Sequence, residues 1–238
     1  MKISDYGRIG IIGAMPEEVA ILLPMLADRK TEQTGMISFH TGTLKGVPVV
    51  IAMSGIGKVN AAVCASVMIS EYGAGAVINT GCGGAIAPFL KQEDIVIGTS
   101  AVEYDLDYNV LGDPDGTVFY PDGTSAVVKE LDRELSAMLT EAASGISQRV
   151  FGGVIGTGDR FVSNPELGRR LNADFGISAC EMEGAAIAHA CTLLGVPCGI
   201  VRTMSDNADG TSSVDYPTFK KIAAEKSAAV ILALIDTK

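Results

Sequence analysis

Short apolar runs alternate with amphipathic segments along most of this chain. Runs of β-branched and small apolar residues predict strands, and apolar residues spaced three to four apart predict helices between them. The predicted strands are 8–14, 76–80, 94–104, 149–157, 177–181 and 197–204, with a hairpin at 39–44 and 47–53. The predicted helices are 16–28, 57–72, 125–143, 164–172, 183–194 and 215–236, and 105–124 is a predicted long loop. This alternation predicts a single α/β domain over 1–238 with a mostly parallel sheet.

Three acidic residues lie just beyond the ends of predicted strands. Glu18, Glu183 and Asp206 follow the first, fifth and sixth of these strands, in that order. Ligands of open α/β sheets bind in the crevice beyond the carboxyl ends of the strands. Three carboxylates that meet there could hold a polar substrate and transfer protons.

Each of these acids also has a structural interpretation. Glu17 and Glu18 fall in the first turn of a predicted helix, where the helix dipole favours acidic side chains. Glu181 and Glu183 flank the start of another helix, and Asp206 could cap a turn. A carboxylate in the same position can instead accept two hydrogen bonds from a vicinal diol. Position alone leaves both interpretations open.

The segment 79–85, Asn-Thr-Gly-Cys-Gly-Gly-Ala, reads as a glycine-rich loop after a strand. It lacks the Lys-Ser/Thr ending of a Walker loop and the spacing of a dinucleotide fingerprint. It is therefore either a tight turn or a place where the backbone approaches a ligand closely, because glycine removes the side chain that would block the approach.

Composition narrows the function classes. The 238 residues are 47% hydrophobic with a formal net charge of −10, which permits a sizeable core and disfavours binding to nucleic acid. Five scattered cysteines and two histidines without clustered spacing predict buried thiols in a reducing compartment and no metal site. The first residues lack the layout of a signal peptide, and no apolar stretch is long enough for a membrane span. A cytoplasmic protein with no membrane partner is expected.

Several motifs together resemble the 5′-methylthioadenosine/S-adenosylhomocysteine nucleosidases of the purine nucleoside phosphorylase superfamily. The resemblance runs over nearly the whole chain. The motifs are Gly10-Ile11-Ile12-Gly13-Ala14-Met15 with Glu17-Glu18-Val19, Ser54-Gly55-Ile56-Gly57-Lys58-Val59, Ile78-Asn79-Thr80-Gly81, Leu90-Lys91 with Asp94-Ile95-Val96, Gly158-Asp159 with Phe161, Glu181-Met182-Glu183, and Arg202 with Ser205-Asp206-Asn207-Ala208-Asp209. The resemblance implies a three-layer α/β/α sandwich around a central mixed, mostly parallel sheet, a homodimer and no cofactor.

The resemblance also implies separate roles for the three acids. Asp206 matches the acid that protonates adenine N7, and Glu18 matches the base that activates the attacking water. Glu183 would hold the ribose hydroxyls, Met182 would line the sugar, and Arg202 would help to place the water. The other positions expected to contact or surround the substrate are Met15, Ile56, Cys82, Gly84, Phe161, Val162, Glu181, Ser205 and Tyr216. Tyr108 and Leu111 of the 105–124 loop are expected to reach the site of the partner subunit.

The chain departs from the family at Cys82, where many relatives have serine, and in the sequence of the 105–124 loop. A thiol is a weaker hydrogen-bond partner than a hydroxyl. The resemblance implies hydrolysis of methylthioadenosine and S-adenosylhomocysteine, and of 5′-deoxyadenosine, in methionine salvage and methyl-cycle recycling. The alternatives are a futalosine-type nucleosidase, a purine nucleoside phosphorylase of the same fold, and a non-catalytic nucleoside sensor. Phosphate would have to sit near Glu18, which favours hydrolysis over phosphorolysis.

Overall fold

The computed structural model describes residues 2–206 and 212–236, with side chains described for 2–206 and 219–236. The strands are β1 (Arg8–Gly13), β2 (Ala27–Thr34), β3 (Ile37–Leu44), β4 (Val47–Met53), β5 (Ala74–Ala85), β6 (Ile95–Glu103), β7 (Val118–Phe119), β8 (Ser125–Ala126), β9 (Lys129–Glu130), β10 (Val150–Thr157), β11 (Ile177–Glu181) and β12 (Cys198–Asp206). The helices are α1 (Pro16–Val19), α2 (Lys58–Ser70), α3 (Arg133–Ser144), α4 (Pro165–Phe175), α5 (Gly184–Leu193) and α6 (Ser212–Asp236). The strand–helix alternation predicted from the apolar runs is therefore present.

Nearly all of the strands belong to one sheet. Its order is β11-β10-β6-β12-β5-β1-β4-β3-β2, with β9 paired to β6, while β7 and β8 form a separate hairpin. Strands β4, β1, β5 and β12 run parallel to one another, and β6, β10 and β11 form a second parallel group. The groups meet antiparallel at β12–β6 and again at β11–β5. This second contact closes five strands into a ring and brings the ends of β5, β11 and β12 together.

Helices cover both faces of the sheet. On one face, α2 and α5 pack against β4, β5 and β10 in a cluster that includes Ala61, Met68 and Ile187. On the other face, α3 and α6 pack against β1 and β6 in a cluster that includes Leu139 and Ile231. Two separate cores on opposite faces make a three-layer α/β arrangement, as expected from the sequence. Every helix in the described part of the chain falls short of the length or apolarity needed to cross a bilayer.

The segment predicted as a glycine-rich loop is instead the end of a strand. β5 runs through Gly81 to Ala85, pairing with β12 from Gly81 opposite Arg202 to Gly84 opposite Asp206. Gly84 also lies opposite Cys180 of β11. The prediction of a loop was wrong, because pairing with β12 and β11 outweighs the low strand propensity of the glycines.

Two predicted helices are shorter than expected. The helix predicted at 16–28 ends at Val19, and a 3₁₀ turn at Leu23–Met25 leads into β2. Pro24 lacks the N–H that would continue an α-helix, and it is tolerated at the start of the turn. The strand β2 was not predicted, because its residues are nearly all exposed and show no apolar periodicity.

The helix predicted at 125–143 begins only at Arg133. Asp132 caps it by accepting a hydrogen bond from Leu135 N at 2.8 Å. The residues before this helix form β8, which pairs with β7, and β9, which pairs with β6. The 105–124 loop is partly ordered by a 3₁₀ turn at Asn109–Leu111 and by β7. These short elements carry too few residues to give a periodic signal in the sequence.

Candidate active site

A cavity of about 360 Å³ lies where β5, β11 and β12 end. Thirteen of the fourteen residues predicted to act on or contact the substrate line it. They are Met15, Glu18, Ile56, Cys82, Gly84, Phe161, Val162, Glu181, Met182, Glu183, Arg202, Ser205 and Asp206. The side chain of the fourteenth, Tyr216, lies outside the described residues. The three acids from separate strand ends therefore share one cavity.

Glu18 is held by backbone amides at the start of α1. Pro16 begins this helix, and the chain folds back so that Glu18 Oε2 accepts hydrogen bonds from Ala14 N at 2.7 Å and Met15 N at 3.0 Å. Glu18 Oε1 accepts a third bond from Cys82 N at 3.1 Å, on β5. The carboxylate is almost fully buried, so these three amides fix its orientation. Both interpretations of Glu18 hold at once, because it caps the helix and also faces the cavity.

Cys82 presents its thiol to the same carboxylate. Its Sγ lies 3.6 Å from Glu18 Oε1, which is within the range of a weak S–H···O hydrogen bond. Burial, together with the nearby Glu18 carboxylate, raises the pKa of this thiol well above its usual range. Cys82 is therefore a neutral donor beside Glu18.

Arg202 is the buried cation of the site. Its guanidinium donates to Cys82 O at 3.1 Å and to Asn79 Oδ1, and it pairs with Glu181 and, at 3.4 Å, with Glu183. Burial alone would lower the pKa of Arg202, but the surrounding carboxylates raise it. The arginine therefore stays charged and offsets part of the negative charge of the cavity.

Glu181 and Glu183 have different surroundings although they are two residues apart. Glu181 accepts hydrogen bonds from Thr157 Oγ1, from Glu183 N at 3.0 Å and from Gly184 N at 2.7 Å, in addition to its pairing with Arg202. Glu183 Oε1 accepts from Gly57 N at 3.0 Å. Burial and the adjacent Glu181 charge raise the pKa of Glu183 to about 7. Glu181 thus anchors the start of α5, and Glu183 retains capacity to accept further hydrogen bonds.

The raised pKa of Glu183 predicts a pH dependence of stability. A carboxyl that binds its proton more tightly in the folded chain stabilises the fold fully below the unfolded pKa of 4.5. This contribution is lost as the pH rises through about 7, so the free energy of unfolding should fall across that window. In urea titrations at several pH values, Glu183→Gln should flatten this fall, whereas the exposed Glu141→Gln should not. An unchanged slope in Glu183→Gln would contradict the assignment.

Asp206 is the last residue of β12 and is buried on the cavity wall. The Ser205 hydroxyl lies 2.9 Å from Asp206 Oδ1 and 3.3 Å from Gly83 O. The pairing of β12 with β5 shifts register between Met204 and Asp206, which places Asp206 opposite Gly84. The shift re-aims the end of the strand, as such irregularities do beside binding sites.

Four cavity residues were missed by the sequence predictions, namely Ala14, Gly83, Arg160 and Cys180. All four are sequence neighbours of predicted positions, including Cys180 beside Glu181, so adjacency was the available signal. Cys180 is also brought to the cavity by the pairing of β11 with β5, which the sequence does not reveal. Among the described residues, no cluster of three or more histidines, cysteines or acids could hold a metal ion.

Comparison with known proteins identifies the family. The family model described as Phosphorylase superfamily matches residues 8–236. The chain belongs to this superfamily. It is 37% identical to a 5′-methylthioadenosine/S-adenosylhomocysteine nucleosidase of Actinobacillus succinogenes over 229 residues, which are 96% of this chain and 98% of the relative. It is 36% identical to an aminodeoxyfutalosine nucleosidase of Campylobacter jejuni, with the same coverage.

A solved structure agrees with these relatives. The crystal structure of 5′-methylthioadenosine/S-adenosylhomocysteine nucleosidase from Neisseria meningitidis, in complex with methylthio-immucillin-A, superposes with a TM-score of 0.91. It is 36% identical and covers 98% of this chain and 100% of its own. The resemblance predicted from the motifs is confirmed, and this member of the superfamily is an N-glycosyl hydrolase that acts on nucleosides.

Proposed function

We propose that this hydrolase cleaves the N-glycosidic bond of 5′-methylthioadenosine and S-adenosylhomocysteine, and also of 5′-deoxyadenosine, in methionine salvage and methyl-cycle recycling. It releases adenine and the 5′-substituted ribose. The observation that carries the proposal is the convergence of Glu18, Glu183 and Asp206 on one cavity with a single buried arginine. Enzymes that break glycosidic bonds commonly use two carboxyl groups with distinct environments.

Each acid has a role that fits its surroundings. Asp206 donates a proton to N7 of the purine, which improves adenine as a leaving group. Glu18, oriented by three amides, takes a proton from the water that attacks C1′ of the ribose. Glu183 accepts hydrogen bonds from the ribose hydroxyls. The surrounding carboxylates stabilise the positive charge that develops on the sugar in the transition state.

The apolar lining suits the rest of the nucleoside. Phe161, Val162 and Met182 offer surfaces for the purine and the sugar, and Met15 and Ile56 lie where a 5′-thioether would pack. Phe161 and Ile56 are about half exposed, which leaves apolar surface for a ligand to cover. Together with the buried acids and Arg202, this lining favours a nucleoside with an apolar 5′ substituent.

The charge of the cavity favours water over phosphate as the attacking group. Phosphorolysis would require unpaired cationic groups and amides beside the ribose. Here the amides of Ala14, Met15 and Cys82 already bind Glu18, and both Nη atoms of Arg202 bind carboxylate or carbonyl oxygens. Adenine release should therefore proceed at the same rate with and without phosphate, and strict phosphate dependence would overturn this proposal.

A second candidate substrate is aminodeoxyfutalosine, because the Campylobacter relative that carries that name is about as similar as the first. The two candidates share the adenine and ribose and differ at the 5′ end. We expect adenine release from methylthioadenosine and S-adenosylhomocysteine to exceed that from aminodeoxyfutalosine and adenosine. A panel that also contains 5′-deoxyadenosine, scored by kcat/KM, tests this order, and a preference for aminodeoxyfutalosine would select the alternative.

We place a homodimer contact on the outer faces of α2 and α5. Val59, Val63, Leu193 and Leu194 are about half or more exposed there, beside a groove of about 440 Å³. Exposed apolar surface of this kind favours association. Leu111, in the 105–124 loop, is also exposed, and we propose that it and Tyr108 reach the site of the partner subunit.

Val63→Asp should convert the dimer into a monomer, because burying an unpaired carboxylate in the contact is costly. Light scattering coupled to size-exclusion chromatography measures the change. Met36→Asp, at an almost fully exposed position on the β2–β3 turn, is the matched control and should not alter the mass. If the Val63→Asp variant remains a dimer, the dimer contact lies elsewhere on the protein.

A further inference from the structure

Three charged residues form a closed network beside the active-site cavity. Lys58 is the first residue of α2, while Asp105 and Asp159 lie two residues beyond the ends of β6 and β10. These two strands are parallel neighbours, and their last residues, Glu103 and Thr157, lie opposite each other. The sheet therefore brings Asp105 and Asp159 to the same place, where α2 begins.

Each member of this network is bonded to the other two. Lys58 Nζ donates to Asp105 Oδ1 at 2.6 Å, and Asp105 Oδ2 accepts from Asp159 N at 2.9 Å. Asp159 Oδ1 accepts from Lys58 N at 2.8 Å, which closes the Lys58–Asp105–Asp159 network. Burial alone would lower the pKa of Lys58, but the carboxylates of Asp105 and Glu103 raise it. Each bond of the network therefore includes a charged group, which strengthens it.

The network ends one residue from the amide that holds Glu183. Gly57 N donates to Glu183 Oε1 at 3.0 Å, and Lys58 N, the next amide along the chain, donates to Asp159. Gly57 has a φ of 100°, which favours glycine, and a Cβ there would lie 3.0 Å from Asp159 Oδ1. Two carboxylates thus hold two consecutive amides. The direction of the Gly57 N–H therefore depends on the bond that Asp159 makes.

The other side of the network leads to the apolar wall of the cavity. Asp159 is followed by Arg160, Phe161 and Val162, which all line the cavity. Tyr104 holds the same segment, because its hydroxyl donates to Arg160 O at 3.4 Å. The network therefore joins the segment that would contact the purine to the amide that orients the acceptor for the sugar.

We propose that Lys58, Asp105 and Asp159 are positioning residues for recognition of the ribose hydroxyls. This inference rests on the proposed function, in which Glu183 accepts hydrogen bonds from those hydroxyls. The network holds Gly57 N on Glu183 and so keeps this carboxylate in one orientation before the substrate arrives. Without the network, Gly57 can turn, and the carboxylate has to be ordered during binding at a cost in affinity for the transition state.

A purely structural role would give a different result. Asp105 and Asp159 are exposed residues, and exposed ion pairs contribute little to stability, so loss of the network should change the melting temperature little. A general loosening of the fold would lower the turnover of every substrate equally. A positioning role acts only on substrates that have hydroxyls for Glu183 to bind.

The test compares methylthioadenosine with its 2′,3′-dideoxy analogue, which offers Glu183 no hydroxyl. The ratio of their kcat/KM values measures hydroxyl recognition in each variant of the full chain. We expect Asp159→Ala to lower this ratio about tenfold or more, since a hydrogen bond to a charged group contributes a factor of this size. Asp105→Ala leaves the bond from Lys58 N in place and should lower the ratio less. Asp159→Asn keeps an oxygen for Lys58 N and should restore most of the ratio.

The matched control is Asp174→Ala, at an exposed position of α4, which should keep the parent ratio. Melting curves and light scattering check that each variant keeps the fold and the mass of the parent. Equal losses for both substrates in Asp159→Ala, an unchanged ratio, or failure of both alanine variants to fold would overturn this inference and leave the proposed function standing. A parent chain that releases no adenine from methylthioadenosine would instead reject the proposed function, and this inference with it.

Discussion

Asp206→Asn is expected to lose adenine release by a factor of about 10²–10⁴ while the chain folds as before. The amide has nearly the same shape as the carboxyl group but has no acidic proton to deliver to purine N7. Adenine would then have to leave as a poor, unprotonated leaving group. The loss should appear in kcat more than in KM, because the missing interaction is made in the transition state.

The control for this variant is Asp174→Asn, which makes the same chemical change on the exposed face of α4. It should release adenine at the parent rate. Thermal melting shows whether Asp206→Asn is folded, and the Ser205 hydroxyl, 2.9 Å from Asp206 Oδ1, can still bond an amide oxygen. Turnover close to the parent rate in a folded Asp206→Asn would remove Asp206 from the mechanism.

The same three acids show how much the sequence could predict. Apolar runs located the strands, and a rule about strand ends placed Glu18, Glu183 and Asp206 near one another. Position could not separate these acids from Glu17 and Glu181. The structure separates them, because Glu17 pairs with Lys220 at 2.8 Å while Glu181 is fully engaged with Arg202, Thr157 and two amides.

Other features were beyond prediction for physical reasons. The edge strand β2 has exposed polar residues on nearly every position, so its pairing with β3 leaves no hydrophobic signal. The closure of β11 onto β5 depends on long-range pairing between residues about a hundred positions apart. That closure carries Cys180 to the cavity and turns an apparent glycine loop into a strand. The local pattern of apolar and polar residues does not encode this long-range pairing or its two consequences.

Gly81 lies on β5 beside Glu18, the carboxylate that we propose activates the water. A Cβ added at Gly81 would lie 2.7 Å from Arg202 Nη1 and from Glu18 Cδ, and nearer still to Glu18 Oε1. Its φ is not among the positive ones, so alanine would fit the backbone and only the two side chains would have to move. Both are buried and hydrogen-bonded, so neither can turn aside freely.

Gly81→Ala should therefore lower kcat by about 10²-fold, because a displacement of about 1 Å in a catalytic group has an effect of this size. Gly145→Ala is the matched control, since its Cβ would meet only Ala142 O at 3.4 Å, an ordinary contact. Adenine release measures activity, and urea titration measures the free energy of unfolding. The steric argument requires that substrate turnover falls far more in Gly81→Ala than in Gly145→Ala at similar stability. Equal turnover in the two variants would mean that Glu18 need not hold its amide-bound position for water to attack the ribose.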